Sequence, residues 1–111
     1  MRRARLALIL GVLFAAGPAV AEWKNLQVLP KNISKDELKA VMKAQSKALG
    51  VECDYCHEMP TAEKDTDHKK VAREMMKMTN EINDKFIKDA NHKVVCATCH
   101  RGKEEPEVLG K

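Results

Sequence analysis

The chain opens with one unbroken apolar block and then thins into stripes. After MRRAR comes LALILGVLFAAGPAV and the small-residue end Ala19-Val20-Ala21, the charged, apolar and small zones of a secretory signal. Residues 1–21 are therefore expected to direct export, leaving residues 22–111 as a single working domain. No later apolar run approaches the roughly 20 residues needed to span a bilayer, so no stable membrane insertion is expected. No cysteine stands beside the expected cleavage point, so no lipid anchor is expected there either.

Beyond residue 21 the period is helical. Ser34 and Glu37 have the spacing of a capping box, Ile33 and Leu38 can close a hydrophobic staple outside it, and Gly50 is placed to end the helix in a left-handed cap. Leu38, Val41, Met42 and Leu49 share one side of this helix, while Lys35, Lys39, Lys43 and Lys47 recur every four residues on another. A second helix is predicted from Asp67, a good capping residue, to about Lys88, before Asp89-Ala90-Asn91. Val71, Met75, Met78, Ile82 and Phe86 make its apolar stripe. Residues 22–32 read as an irregular leader, residues 58–66 with Pro60 as a loop, and the end after Gly102 as a short charged tail. No strand signal emerges, and the fold class expected is all-α.

Composition makes such a fold hard to stabilise alone. The 111 residues are 32% charged and 4% aromatic, and residues 22–111 keep only Trp23, Tyr55 and Phe86. A domain this small is marginal even with a good core, so something besides its own side chains must help to hold it. Without Arg2, Arg3 and Arg5, 17 basic residues face 16 acidic ones, a net charge of +1. That balance gives no electrostatic footprint for nucleic acid.

The four cysteines fall into two copies of one spacing, Cys53-Asp54-Tyr55-Cys56-His57 and Cys96-Ala97-Thr98-Cys99-His100. Zinc could use four thiolates, but the spacer of 39 residues between the pairs is long for a small ribbon. A redox dithiol needs no histidine after each pair, and two local disulfides would not need one either. Cys-x-x-Cys-His is the attachment pattern of c-type haem, here twice. Residues three apart lie on one face of a helical turn, so both sulfurs of a pair can bond one haem edge. The adjoining His57 or His100 then binds iron from the same side. Two covalently attached haem c groups are the cofactors expected.

A low-spin haem takes a sixth ligand, and Met42, Met59, Met75, Met76, Met78, His68 and His92 are the candidates. Met59 is too near His57 to cross the ring, and Met76 points away from the apolar stripe. Met42 remains for the first haem and Met75 or Met78 for the second. Methionine as a simple filler of apolar gaps is the plain alternative. His68 and His92, two spare histidines for two haems, keep bis-histidine ligation open.

The stretch from Leu38 to His57, LKAVMKAQSKALGVECDYCH, together with VAREMMKMTNEIN and VVCATCHRG, resembles the cytochrome subunit bound to bacterial photosynthetic reaction centres. The likeness covers about residues 36–102, one two-haem half of that family's pattern of methionine helix, turn and attachment motif. It lies in Leu49-Gly50-Val51, in the eleven residues from Met42 to Cys53, and in Met-Met-Lys-Met followed by Asn83. The resemblance implies Met42 as axial ligand of the first haem and Met75 of the second. That subunit carries four haems and usually a lipid-modified cysteine, so this chain is expected to be a free-standing relative.

These readings converge on a soluble periplasmic dihaem electron carrier, with both irons six-coordinate and His/Met-ligated. A haem enzyme or ligand-binding sensor with one labile distal ligand is the alternative, and no acid, arginine or histidine group forms an evident distal catalytic set. Its partners are expected to be redox proteins, with the row Lys35, Lys39, Lys43 and Lys47 as a basic face for an acidic one.

Overall fold

The computed structural model describes Gly17 and residues 22–108, so the expected export signal lies outside the described residues except for Gly17. Helix α1 spans Lys35–Leu49, α2 Asp67–Phe86 and α3 Cys96–His100. Short 3-10 turns occupy Cys53–Tyr55 and Ala90–His92, and no strand occurs among the described residues. The protein is all-α, as its pattern predicts. None of the described helices is long and apolar enough to cross a membrane.

Local chemistry sets the bounds of α1. The Glu37 N–H donates to Ser34 Oγ at 3.2 Å, and the Ser34 N–H donates back to the Glu37 carboxylate at 3.0 Å. Such caps contribute about 1 kcal/mol. Bonding from the Ser34 hydroxyl, then from its backbone N–H, holds the Glu37 carboxyl below its ordinary value. At the other end Gly50 turns left-handed, at φ 67°, and returns its N–H to the Ser46 carbonyl.

Helix α2 starts at Asp67, as its pattern predicts, and departs from expectation in its cap and at its far end. Its cap is Thr66, not Asp67, and the helix stops at Phe86, with extended Ile87 after it. A hydroxyl can accept and donate at once, whereas a carboxylate only accepts. Thr66 Oγ1 takes the Lys69 N–H at 3.3 Å and donates to the Cys56 carbonyl at 2.7 Å, so the cap also ties the helix to the first motif.

The side-chain core is small: Ile33 and Ala48 are its buried apolar members among the described residues. Trp23 bonds the Ile33 carbonyl at 2.7 Å and draws the leader onto the start of α1. Further along, Asn25 donates to Glu63 O and Asp65 Oδ1, each at 2.7 Å, and Arg73 reaches Asp65 at 2.8 Å. The leader, the 58–66 loop and α2 are thus joined by polar contacts. The more covered face of α2 is Ala72, Arg73, Met76, Thr79, Ile82 and Asn83. Of the expected apolar stripe, Val71, Met75, Met78 and Phe86 are exposed and Ile82 is half-buried. Covering of α2 follows the polar groups that find partners as much as it follows the apolar period.

Two left-handed glycines join the ends of the molecule. Helix α3 closes through Arg101, and Gly102 at φ 83° donates its N–H to the Ala48 carbonyl at 2.8 Å. A Cβ on Gly50 would stand 2.3 Å from the Gly102 oxygen, so α1 can meet this turn only where it lacks a side chain.

Candidate functional site

Both cysteine-histidine segments curl through one turn, as the three-residue spacing requires. In the first, a 3-10 turn at Cys53–Tyr55 lets the His57 N–H reach the Cys53 carbonyl at 3.0 Å. In the second the turn is α3 itself, opened by the Val95 N–H donating to Thr98 Oγ1 at 3.0 Å. None of the four cysteines is paired in a disulfide, and burial pushes the Cys56 thiol up.

One open cavity of about 880 Å³ collects these segments. Cys53, Cys56 and His57 line it, as do Cys96, Cys99 and His100, with Met42 from α1 and Met75, Met76 and Met78 from α2. Leu38, Leu49, Val71 and Ala72 add apolar wall. The exposed part of the α2 stripe, Val71, Met75 and Met78, is therefore cavity wall, while Phe86 at 75% exposure lies outside it.

The ring contacts settle which imidazole nitrogen is free. His57 Nδ1–H donates to the Ala62 carbonyl at 3.0 Å, and His100 Nδ1–H donates to the Lys103 carbonyl at 3.1 Å. A carbonyl can only accept, so each Nδ1 carries the proton and each Nε2 keeps a lone pair for a metal. A backbone acceptor of this kind orients a ligating histidine and raises its basicity.

The other candidates separate. His68 lines the cavity but stacks on Tyr55, with ring centroids 3.9 Å apart, and its Nδ1–H donates to the Tyr55 carbonyl at 2.7 Å. His92 lies outside the cavity, its Nδ1 2.6 Å from Asp89, whose carboxyl is held down by the Asn91 N–H and then by His92. Met59 is 69% exposed and away from the cavity. Met76 is half-buried on the cavity wall, and its sulfur accepts from Gln45 at 3.4 Å, linking α2 to α1. The lysine row Lys35, Lys39, Lys43 and Lys47 is exposed throughout.

The roles of several supporting residues emerge only from the fold. Asn83 donates to the Val94 carbonyl and accepts from the Val94 N–H, both at 2.8 Å, pinning the segment just before Cys96. Ser46 donates to the Val51 carbonyl and steadies the approach to Cys53. Tyr55 donates to Glu104, and this bond first, with burial second, pushes the phenol up to about 12. That contact joins the first motif to the chain just after the second.

The donor set fits haem c: each segment offers two free thiols and one imidazole with Nε2 available, beside an apolar wall with methionine sulfur. The zinc reading fares worse, because no three His, Cys, Asp or Glu side chains among the described residues converge to hold a metal ion.

Comparison with known proteins points the same way. The family described as "Photosynthetic reaction centre cytochrome C subunit" matches residues 13–109. The photosynthetic reaction center cytochrome c subunit of Roseobacter denitrificans is 35% identical over 97 residues, 78% of this chain and 26% of its own length. That of Rubrivivax gelatinosus is 38% identical over 58 residues, 51% of this chain and 16% of its own. Cytochrome c-554 of Chloroflexus aurantiacus is 35% identical over 81 residues, 68% of this chain and 20% of its own. The chain spans about a quarter or less of the length of these relatives.

Proposed function

Since this chain belongs to the photosynthetic reaction centre cytochrome C subunit family, we propose that it is a periplasmic dihaem c-type cytochrome that carries electrons between redox proteins. Residues 1–21 act as its export signal and residues 22–111 as one haem-bearing domain. The observation that carries this reading is the pair of attachment segments on one cavity, each with its histidine Nδ1–H committed to a backbone carbonyl.

Cys53 and Cys56 hold the first haem and Cys96 and Cys99 the second. His57 and His100 ligate through Nε2. Met42 would hold the first haem and Met75 the second through sulfur, and a thioether favours the ferrous state. Bound haem supplies one-electron exchange between Fe(II) and Fe(III). The chain's part is to fix the imidazoles, present the sulfurs and cover the rings with Leu38, Leu49, Val71 and Ala72. An imidazole and a methionine sulfur both committed to each haem would set a carrier apart from a haem enzyme or ligand sensor.

The exposed row Lys35, Lys39, Lys43 and Lys47 supports docking on an acidic redox partner. Replacing Lys39 and Lys43 by Glu lowers the transfer rate and flattens its salt dependence; an unchanged rate and slope would remove this face from the proposal.

The deciding experiment combines an intact mass of the exported protein with a potentiometric titration that follows the weak red absorption of ferric haem bound by methionine sulfur. Two haems, that band at full intensity, and its halving in Met42→Ala and again in Met75→Ala are expected. A mass for fewer haems would overturn the dihaem reading. Two haems without the band would overturn Met42 and Met75 and turn attention to His68 and His92. Rapid binding of carbon monoxide to half the haem would instead favour the enzyme or sensor class.

A further inference from the structure

The carbonyls that serve His57 and His100 are not equivalent. The Ala62 oxygen takes the His57 Nδ1–H at 3.0 Å and also accepts from the Lys69 ammonium at 2.9 Å. Lys69 is held there from two sides. Its backbone N–H is bound by the Thr66 cap at 3.3 Å, and its ammonium donates a second time to the Lys64 carbonyl at 2.8 Å. The Lys103 oxygen accepts the His100 Nδ1–H at 3.1 Å, and among the described residues no second donor reaches it.

This difference has a direction. A carbonyl already polarised by a cation has less electron density to offer an imidazole N–H. The His57 ring therefore gains less imidazolate character than the His100 ring, and gives less charge to ferric iron. The ammonium adds a positive field of its own, two hydrogen bonds from the ligating ring. Both effects favour Fe(II) over Fe(III).

The charges around Lys69 leave this field in place. Arg73 faces it with the same sign, and Asp65 and Glu63 face it with the opposite sign. Asp65 is engaged by Arg73 at 2.8 Å and by Asn25 at 2.7 Å, and Lys69 makes no ion pair among the described residues. Lys69 as a residue is half-buried, and its ammonium is held against two backbone carbonyls, so its distance to the ring is fixed.

We propose that Lys69 is a positioning residue that raises the potential of the haem on Cys53 and Cys56 above that of the haem on Cys96 and Cys99. The proposal rests on the dihaem reading above. With both groups bound, Lys69 would make the first site the preferred place for a single electron passed from the second, with no bond made or broken and no proton moved. A singly reduced molecule then holds its electron beside α1 and its lysine row, and the second haem is the relay.

The test is an optical potentiometric titration of the haem-loaded wild type, Lys69→Gln and Lys69→Arg, each checked by intact mass. Glutamine keeps a hydrogen-bond donor without the charge, and arginine keeps both. The wild type should show two resolved one-electron transitions. Lys69→Gln should lower the upper one by about tenfold in the ferrous-to-ferric ratio at fixed potential, 59 mV for one electron. The lower transition should stay in place, and Lys69→Arg should restore the upper one.

Coincident transitions in the wild type would overturn the proposal whether or not the variants accumulate. So would an unmoved upper transition, a shift of the lower one, or an arginine variant that behaves like glutamine, which would assign the effect to loop geometry. A mass for one haem would overturn the dihaem reading itself, whereas two haems with any of these titration results would overturn the role of Lys69 alone.

Discussion

Between α1 and Cys53 the chain has three residues; between α2 and Cys96 it has nine. The short connection needs little outside help. Gly50 turns left-handed, Val51 returns its N–H to the Ser46 carbonyl at 3.1 Å, and the attachment turn begins at once. The long connection has no such stiffness of its own. It is fixed near its far end by Asn83, which reaches across eleven residues to bind both backbone groups of Val94 at 2.8 Å. One helix-to-motif unit is thus set by backbone conformation and the other by a side-chain clamp. Their backbones meet where Gly102 bonds Ala48 and lies against Gly50, beside the side-chain links Gln45–Met76 and Tyr55–Glu104.

The largest effect is expected at that meeting point. Gly50→Ala must hold a side chain at φ 67° and place its Cβ 2.3 Å from the Gly102 oxygen, with the backbone of both segments in the way. Strain of about 1–2 kcal/mol for the left-handed conformation adds to overpacking of about 1–3 kcal/mol. Gly102→Ala has the conformational cost at φ 83° but meets nothing within 4 Å, so it should lose about 1–2 kcal/mol. Denaturant unfolding of the two haem-loaded variants measures the contrast. Equal losses would mean that the units do not press on each other at Gly50.

Asn83→Ala should cost less and act on one unit. Two hydrogen bonds of about 1 kcal/mol each disappear, and the Val94 groups must find water. Asn83→Asp keeps an acceptor for the Val94 N–H but sets a carboxylate against the Val94 carbonyl, so it should not recover the loss. Unfolding curves give the magnitude, and the spectrum of the second haem should change while that of the first stays constant. A change confined to the first haem would contradict the division of labour.

The same contrast explains what the sequence discloses. The α1 cap, Gly50 and the two attachment turns depend on neighbours within four residues, so Ser34, Glu37, Gly50 and the cysteine spacing announce them. Helix α2 is less open to such reading. Its period marks Val71, Met75 and Met78 as one face, yet Arg73 and Asn83 find Asp65 and Val94, and these partners cover another face. Thr66 displaces Asp67 as cap because its hydroxyl can also reach the Cys56 carbonyl, a contact ten residues away. The acceptors of His57 and His100 are backbone oxygens, a group every residue carries, so no residue type signals them. Family likeness identifies the cytochrome pattern, while the role of Lys69 emerges only when the loop is placed against α2.

The smallest expected effect lies in that loop and appears only with acid. The Arg73 guanidinium first, and then Asn25, hold the Asp65 carboxyl below its ordinary value. The unfolded chain therefore takes up the proton at a higher pH than the folded one. Whatever stability the pairing adds is fully present above the unfolded value, near pH 4, and is lost as pH falls through the lower folded value. Asp65→Asn should flatten this part of the acid limb in a helicity titration, with little change at pH 7 because exposed ion pairs contribute weakly. Since the loop carries Ala62, acid should disturb the first haem's spectrum before the second's. On the second side the acceptor belongs to Lys103, three residues from His100, where the exposed Lys103–Glu107 pair at 3.5 Å adds little. If the second haem responded first, the local turn at Lys103 would be the weaker of the two supports.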